Sequence, residues 1–167
     1  VVATPIGHLE DISLRALRVL REVAVVAAED TRRTGNLLRH FEIPTRLISL
    51  HHHNEDQRTG ELLSRLGRGE SVALVSDAGT PGISDPGSGL VRKARAAGFR
   101  VEPIPGPSAV AAAVSVAGLE GTGFAFLGFP PIKANDRKRW FADLADWHTR
   151  TALVVFEAPH RVVQTIE

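Results

Sequence analysis

At 167 residues, with 43% hydrophobic and 23% charged side chains, the chain has the size and composition of a folded globular protein, which excludes disorder as its overall state. It has no cysteine, which excludes disulfides and thiolate metal sites and suits a reducing, cytoplasmic setting. A net charge of +1 gives no global electrostatic case for nucleic acid, although Lys93, Lys133 and Lys138 are the only lysines among 20 basic residues; the others are arginines, whose forked guanidinium suits phosphate or carboxylate.

No secretory pattern is present, and no uninterrupted apolar stretch is long enough to span a bilayer. Val1 already reads as mid-strand, so a few residues are expected ahead of it. From there strand and helix alternate: Val1 to Thr4 as a strand, Ser13 to Arg21 as a helix, Val23 to Ala27 as a strand, Thr31 to His40 as a helix. Arg46 to Leu50 and Ser71 to Ser76 read as strands around a helix at Glu55 to Leu66, where Leu62, Leu63 and Leu66 share one face. Gly87 to Ala97 reads as a helix closed by Gly98, and Phe99 to Ile104 as a fifth strand. This βα repeat predicts an α/β fold with a largely parallel sheet covered by helices on both faces. Pro105-Gly106-Pro107-Ser108 then breaks the chain and opens an alanine-rich helix through Ala117. A second unit follows, with strands at Phe124 to Phe129 and Thr151 to Phe156, a polar helix at Asp136 to Asp146 and a last helix from Pro159. The expected organisation is an amino-terminal α/β lobe over 1–117 and the start of a second α/β lobe over 118–167, continuing past Glu167 because two strands alone rarely make a stable sheet.

The densest chemical signal is Leu74-Val75-Ser76-Asp77-Ala78-Gly79-Thr80-Pro81-Gly82-Ile83-Ser84-Asp85-Pro86-Gly87, an apolar strand that empties into a turn of Gly, Pro, Ser and Asp. Such a turn lets backbone amides approach a small molecule, and in open α/β sheets ligands sit at the carboxyl ends of strands. Thr4-Pro5-Ile6-Gly7 ends the first strand in another small turn. Neither the G-x-G-x-x-G nor the G-x-x-x-x-G-K-[ST] phosphate loop occurs, which disfavours a nucleotide hydrolase. Asp30 enters a helix either as its N-cap or as a functional carboxylate, and Arg32 and Arg33 behind it suit a phosphodiester. In His51-His52-His53-Asn54, alternate side chains of an extended segment diverge, so at most His51 and His53 point together and no metal site is expected. Ser108 and Ala109 begin a helix whose free amides suit a carboxylate or a hydroxyl. Val155 to Arg161 brings Phe156, Glu157 and His160 to the end of a strand.

Taken in order, TPIG, AEDTRRT, H-x-HNE, ALVSDAGTPGISDPG, PGPSA and FEAPHR resemble the ribosomal small-subunit RNA methyltransferase I family of the tetrapyrrole-methylase superfamily, along essentially the whole chain. The resemblance implies a two-lobed, class III S-adenosylmethionine methyltransferase fold, a cofactor cleft between the lobes, a homodimer, and 2′-O-methylation of a decoding-centre cytidine of 16S rRNA in the 30S subunit. It places Pro5, Ile6, Gly7, Asp77, Gly79, Thr80, Ser108, Ala109, Phe156 and Glu157 on the cofactor. Arg32, Arg33, His51, His53 and Asn54 fall on the RNA side. The chain departs from the family's pattern at His8, Phe156 and Ala158, where asparagine, tyrosine and serine are usual. Its segment from Pro130 to Arg139 is less basic than is usual, which concentrates RNA contact there on Arg137, Lys138 and Arg139.

A ribose hydroxyl is a weak nucleophile at neutral pH, so the implied reaction calls for alignment and for a general base. Asp30 is the first candidate, beside the arginines, and Asp85 the second. Two other readings stay open: a methylase acting on a tetrapyrrole or other small acceptor, and a ribosome-assembly factor that binds RNA without S-adenosylmethionine.

Overall fold

The structure, a computed structural model, describes residues 1–119, 123–145, 147 and 151–166. It divides into two compact units, Val1–Ala109 and Val110–Glu167, so the division falls at the start of the alanine-rich helix, whereas the sequence reading places it after that helix.

In the first unit a 3₁₀ turn at Leu9–Asp11 leads to α1 (Leu14–Glu22), β1 (Val25–Ala28), α2 (Thr31–His40), β2 (Leu47–Ser49), α3 (Glu55–Gly67), β3 (Val72–Val75) and α4 (Ser88–Ala96). Ser13 caps α1 by accepting from the Ala16 N–H at 3.0 Å, which explains why the helix starts there. The three strands are parallel in the order β2-β1-β3, with Ala28 opposite both Ser49 and Val75. All four residues of β1 have no exposed surface, as expected of a parallel strand buried on both faces.

Strand alternation sorts the core into two clusters. Val26 and Ala28 of β1, with Ala73 and Val75 of β3, pack with Ala16 and Leu20 of α1 and Leu38 of α2. Val25, Ala27 and Leu74 point the other way, to Leu62 of α3 and Leu90 of α4. Helices α1 and α2 therefore cover one face and α3 and α4 the other. The chain leaves the carboxyl end of β1 toward one face and that of the neighbouring β3 toward the other, which opens a crevice between them.

The segment 1–4 lies beside β3, with the Val2 N–H donating to the Leu74 carbonyl at 2.8 Å, but it forms only bridges: Val2 pairs with Ile104 in parallel and Thr4 with Gly79 antiparallel. The predicted strands 1–4 and 99–104 are thus single rungs rather than a ladder, because Thr4 has already turned away from the 104 segment to pair with Gly79.

The second unit holds α5 (Ala109–Val116), which straddles the division, β4 (Phe124–Phe126), α6 (Ala134–Asp143), β5 (Ala152–Val154) and α7 (Val162–Ile166). β4 and β5 are parallel, as a crossover through α6 requires. Their pairing continues past the strand ends through Leu127 N–H to the Val154 carbonyl, 2.9 Å, and Phe156 N–H to the Gly128 carbonyl, 2.8 Å. Helix α6 starts earlier and ends earlier than predicted; Asp146, its expected end, lies outside the described residues.

Two glycines test this account in opposite directions. Gly87 has φ +107°, and an added Cβ would stand 2.7 Å from Leu74 Cδ2 in the core, so Gly87→Ala lowers unfolding stability by about 2 kcal/mol. Gly60 lies inside exposed α3 turns with nothing within 4 Å of an added Cβ, so Gly60→Ala raises stability by about 0.5–1 kcal/mol; urea unfolding of both variants checks the pair.

Candidate functional site

The crevice between β1 and β3 gathers four segments. From β1 come Glu29 and Asp30, from β3 Ser76 and Asp77, from the amino-terminal segment Thr4, Pro5 and Ile6, and from β2 the loop that begins at Leu50. Thr4 and Gly79 bond each other reciprocally, Thr4 N–H to the Gly79 carbonyl at 2.9 Å and Gly79 N–H to the Thr4 carbonyl at 3.0 Å. Thr4 Oγ1 also donates to the Ser76 carbonyl at 3.2 Å, and Thr80 Oγ1 to the Pro107 carbonyl at 3.1 Å. Gly79 has φ +81°, and a Cβ there would stand 3.4 Å from Ile6 Cγ2 and 3.8 Å from the Pro107 carbonyl. A backbone without a side chain thus lies between the Ile6 side chain, which is partly exposed, and the Pro107 carbonyl. Ser108 and Ala109 follow directly, at the start of α5.

Asp77 ties β3 to the turn after β1. Its Oδ1 accepts the Asp30 N–H at 2.9 Å, and its Oδ2 lies 3.6 Å from Arg33 Nε. Asp77, Arg33, Thr34, Ser76, Thr4 and Pro5 line a cavity of about 200 Å³, so residues expected on the cofactor and RNA sides share one recess. A larger cavity of about 300 Å³ lies at the amino ends of the strands, around Val23, Ser71 and Val72, and holds none of the candidate residues.

Asp30 is the N-cap of α2. Its Oδ1 accepts the Arg32 N–H at 2.8 Å and Arg32 Nε at 3.1 Å, and its Oδ2 accepts the other guanidinium nitrogen at 2.8 Å. Those bonds, the Arg32 side chain first, hold the Asp30 carboxyl down at about 2. A carboxylate held so low is a weak base. Burial is the main force pushing Asp85 above the usual carboxylate range, with repulsion from Asp77 adding to it and the Ser76 hydroxyl opposing it.

Glu29 has no place in the sequence reading. Burial raises its pKa first, and the carboxylates of Asp77 and Asp85 raise it further, while His52 acts on both Glu29 and Asp85 in the opposite sense. Glu29, Asp77, Asp85 and His52 therefore form one electrostatic cluster. Its only signal in the sequence is that each member follows the carboxyl end of a strand. Among the described residues no group of three or more such side chains is arranged to hold a metal ion.

In the β2 loop the rings of His51 and His53 meet edge to face with centroids 6.0 Å apart. The Asn54 side chain is turned inward, its Oδ1 accepting the His51 N–H at 2.8 Å and its Nδ2 donating to the Ser49 carbonyl at 3.3 Å. Arg32 and Arg33 are exposed on the first turn of α2, their side chains 88% and 69% accessible.

Phe156 packs on Phe126 and Phe129, with ring centroids 4.7 and 5.5 Å away. Glu157 is nearly buried and internally bonded, its Oε1 accepting from the Ala158 N–H at 2.7 Å and from Arg161, and its Oε2 from Thr165 Oγ1 at 2.7 Å. The Thr165 hydroxyl leads the interactions that hold its carboxyl below the usual range. Of the basic residues on α6, Arg137 donates to the Ile132 carbonyl at 3.0 Å and Arg139 pairs with Asp136 at 2.5 Å, while exposed Lys138 makes no ion pair among the described residues.

With this geometry established, the comparison with known proteins is direct. The sequence profile of the tetrapyrrole (corrin/porphyrin) methylases matches residues 1–167. The chain belongs to the tetrapyrrole methylase family. Among curated members, the ribosomal RNA small subunit methyltransferase I of Pseudomonas aeruginosa is 55% identical over 99% of this chain and 58% of its own length. The protein of the same name from Synechocystis is 49% identical over 99% of this chain and 59% of its own length. The chain thus spans under two thirds of these relatives. Among solved structures, the uroporphyrin-III-C-methyltransferase of Thermus thermophilus superposes with a TM-score of 0.57 at 25% identity, covering 80% of this chain and 62% of that one. A diphthine synthase superposes with a TM-score of 0.64 at 19% identity, over 95% and 64%, a likeness of fold alone. The class III methyltransferase fold expected from the sequence is the observed one.

The electrostatic cluster of this tetrapyrrole methylase gives a signed pH prediction. Asp85 has a higher pKa folded than unfolded, so its ionisation opposes folding above the folded value, and the opposition vanishes once both states are protonated, below about 3.8. Asp85→Asn therefore unfolds at a higher temperature than the parent at pH 7, and the gap closes as pH is lowered to about 3, as thermal unfolding across that range will record.

Proposed function

We propose that this chain is part of an S-adenosylmethionine-dependent methyltransferase that modifies the ribose 2′-hydroxyl of a decoding-centre cytidine in 16S rRNA of the 30S subunit, acting in the cytoplasm as a homodimer. The observation that carries the reading is identity of about one half, over 99–100% of the chain, to relatives named ribosomal RNA small subunit methyltransferase I. The geometry agrees with it. The bare backbone at Gly79, flanked by Ile6 and the Pro107 carbonyl, fits a cofactor with a flat base and a small amino-acid tail. Pro5, Ile6, Gly7, Asp77, Gly79, Thr80, Ser108 and Ala109 are the residues that would hold it.

When bound, S-adenosylmethionine supplies an electrophilic methyl on a positively charged sulfur. The protein's task is then to align the acceptor oxygen, keep water away and take up the hydroxyl proton. Asp85 suits the proton transfer better than Asp30, because burial raises its basicity whereas Arg32 suppresses that of Asp30. Arg32 and Arg33, exposed at the crevice mouth, suit the phosphates flanking the target nucleotide. Two of the N–H groups of Arg32 are held by Asp30, and its others remain available to a phosphate. In the second unit Lys138 is the freest basic residue of α6.

The deciding experiment transfers labelled methyl from S-adenosylmethionine to 30S particles lacking decoding-centre modification, using the full-length protein, followed by nucleoside mass spectrometry. The expected product is 2′-O-methylcytidine. Cofactor binding with transfer only to a tetrapyrrole acceptor would replace the RNA reading, and RNA binding without cofactor affinity would replace the enzymatic one. A second measurement addresses the arginines. Arg32→Ala lowers RNA affinity and reduces the slope of log affinity against log salt by about 0.7–0.9, one phosphate's worth, while cofactor affinity by calorimetry is unchanged.

A further inference from the structure

The motif from His51 to Glu55 ends in a residue to which the proposed reaction gives no part. Glu55 opens α3, yet its carboxylate serves another helix: Oε1 accepts the N–H of Gly87 at 3.2 Å and of Gly89 at 3.0 Å. These amides belong to the start of α4, whose N-cap is Gly87 and which has no side-chain cap of its own. The first amides of a helix have no intrahelical partner, and here a carboxylate more than thirty residues away in sequence supplies it. Both glycines are fitted to the arrangement. A Cβ on Gly89 would stand 2.7 Å from Glu55 Oε1, and one on Gly87 would stand 2.7 Å from Leu74 Cδ2.

The neighbours of this contact give it a consequence. Asp85 lies two residues before Gly87. On the other side Glu55 directly follows Asn54, whose side chain fixes the His51 N–H and the Ser49 carbonyl. One carboxylate oxygen therefore ties the residues just after Asp85 to the helix that directly follows the three-histidine loop. The opposite end of the long turn is anchored separately, by the Thr4 and Gly79 pair and by Thr80 on Pro107. Losing the Glu55 contact therefore removes a hydrogen-bonded anchor at the Asp85 end and none at the Gly79 end.

We propose that Glu55 is a positioning residue that holds the Asp85 turn against the histidine loop; the assignment rests on Asp85 as the proton acceptor of the proposed methyl transfer. The test uses the full-length protein with three substitutions. Glu55→Ala removes the acceptor, Glu55→Gln keeps one oxygen able to accept both N–H bonds, and Asp56→Asn breaks the neighbouring exposed 3.0 Å pair with Lys93 without touching the turn. Three quantities are read: turnover at saturating substrates, S-adenosylmethionine affinity by calorimetry, and amide hydrogen exchange at Gly87 and Gly89. The expected result is a loss of turnover of about 10²-fold in Glu55→Ala with unchanged cofactor affinity and faster exchange at both amides, recovery of turnover and of amide protection in Glu55→Gln, and parental behaviour in Asp56→Asn. Equal losses in the Ala and Gln variants, a parallel loss of cofactor affinity, or amides that stay protected in Glu55→Ala would each overturn the proposal. If the parent itself transfers no methyl, the methyltransferase reading fails by itself, and exchange at the two amides still decides the anchor.

Discussion

The first unit depends on the burial of β1 from both sides. Val25, Val26, Ala27 and Ala28 have no exposed surface and send alternate side chains into two cores, so neither face of the strand is free to meet water. That condition is met only with helices on both faces, and it sends the chain after β1 to one side and the chain after β3 to the other. The crevice at their carboxyl ends is thus a by-product of packing. The residues that enter it are those that follow the strands, whatever their chemistry, and evolution has had to place polar groups there without undoing the sheet beneath.

Placing several carboxylates at neighbouring strand ends carries an electrostatic penalty, and the structure meets it differently for each. Asp30 is neutralised by the side chain and the backbone N–H of Arg32, and Asp77 accepts the Asp30 N–H and approaches Arg33. Asp85 and Glu29 are left with burial and like charges as their main perturbations, so the fold pushes both toward the protonated form. Carboxylates at neighbouring strand ends are thus pushed in opposite directions by environment alone, Asp30 down and Asp85 up. The same crevice that raises Asp85 also destabilises the protein, which is the ordinary trade between function and stability at such sites.

Most of this was legible in the sequence because it is local. Ser13 and Asp30 stand where N-caps should, Gly98 closes α4, and the alternation of strand and helix needs only apolar periodicity. The failures are all non-local. Phe99 to Ile104 has the composition of a strand, but whether it forms a ladder depends on how long Val1 to Thr4 stays beside it. Glu29 and His52 enter the site because parallel register puts Ala28 opposite Ser49 and Val75, which no spacing within one segment reveals. That Arg32 folds back on Asp30 and lowers its basicity is likewise a matter of side-chain geometry, which adjacency in the sequence does not reveal.

The second unit follows the same rule with a different outcome. Glu157 looks like a site residue because it stands at the end of a strand amid mixed chemistry, yet its two oxygens already take the Ala158 amide, Arg161 and the Thr165 hydroxyl, and these bonds fasten the approach to α7. Arg137 likewise is turned onto the carbonyls of the segment before α6. A charged side chain whose hydrogen bonds are already made largely inside its own unit gains less from a ligand, since a new bond competes with an old one. By that criterion, among the described residues, capacity remains at the exposed guanidiniums of α2 and, on α6, at the ammonium of Lys138.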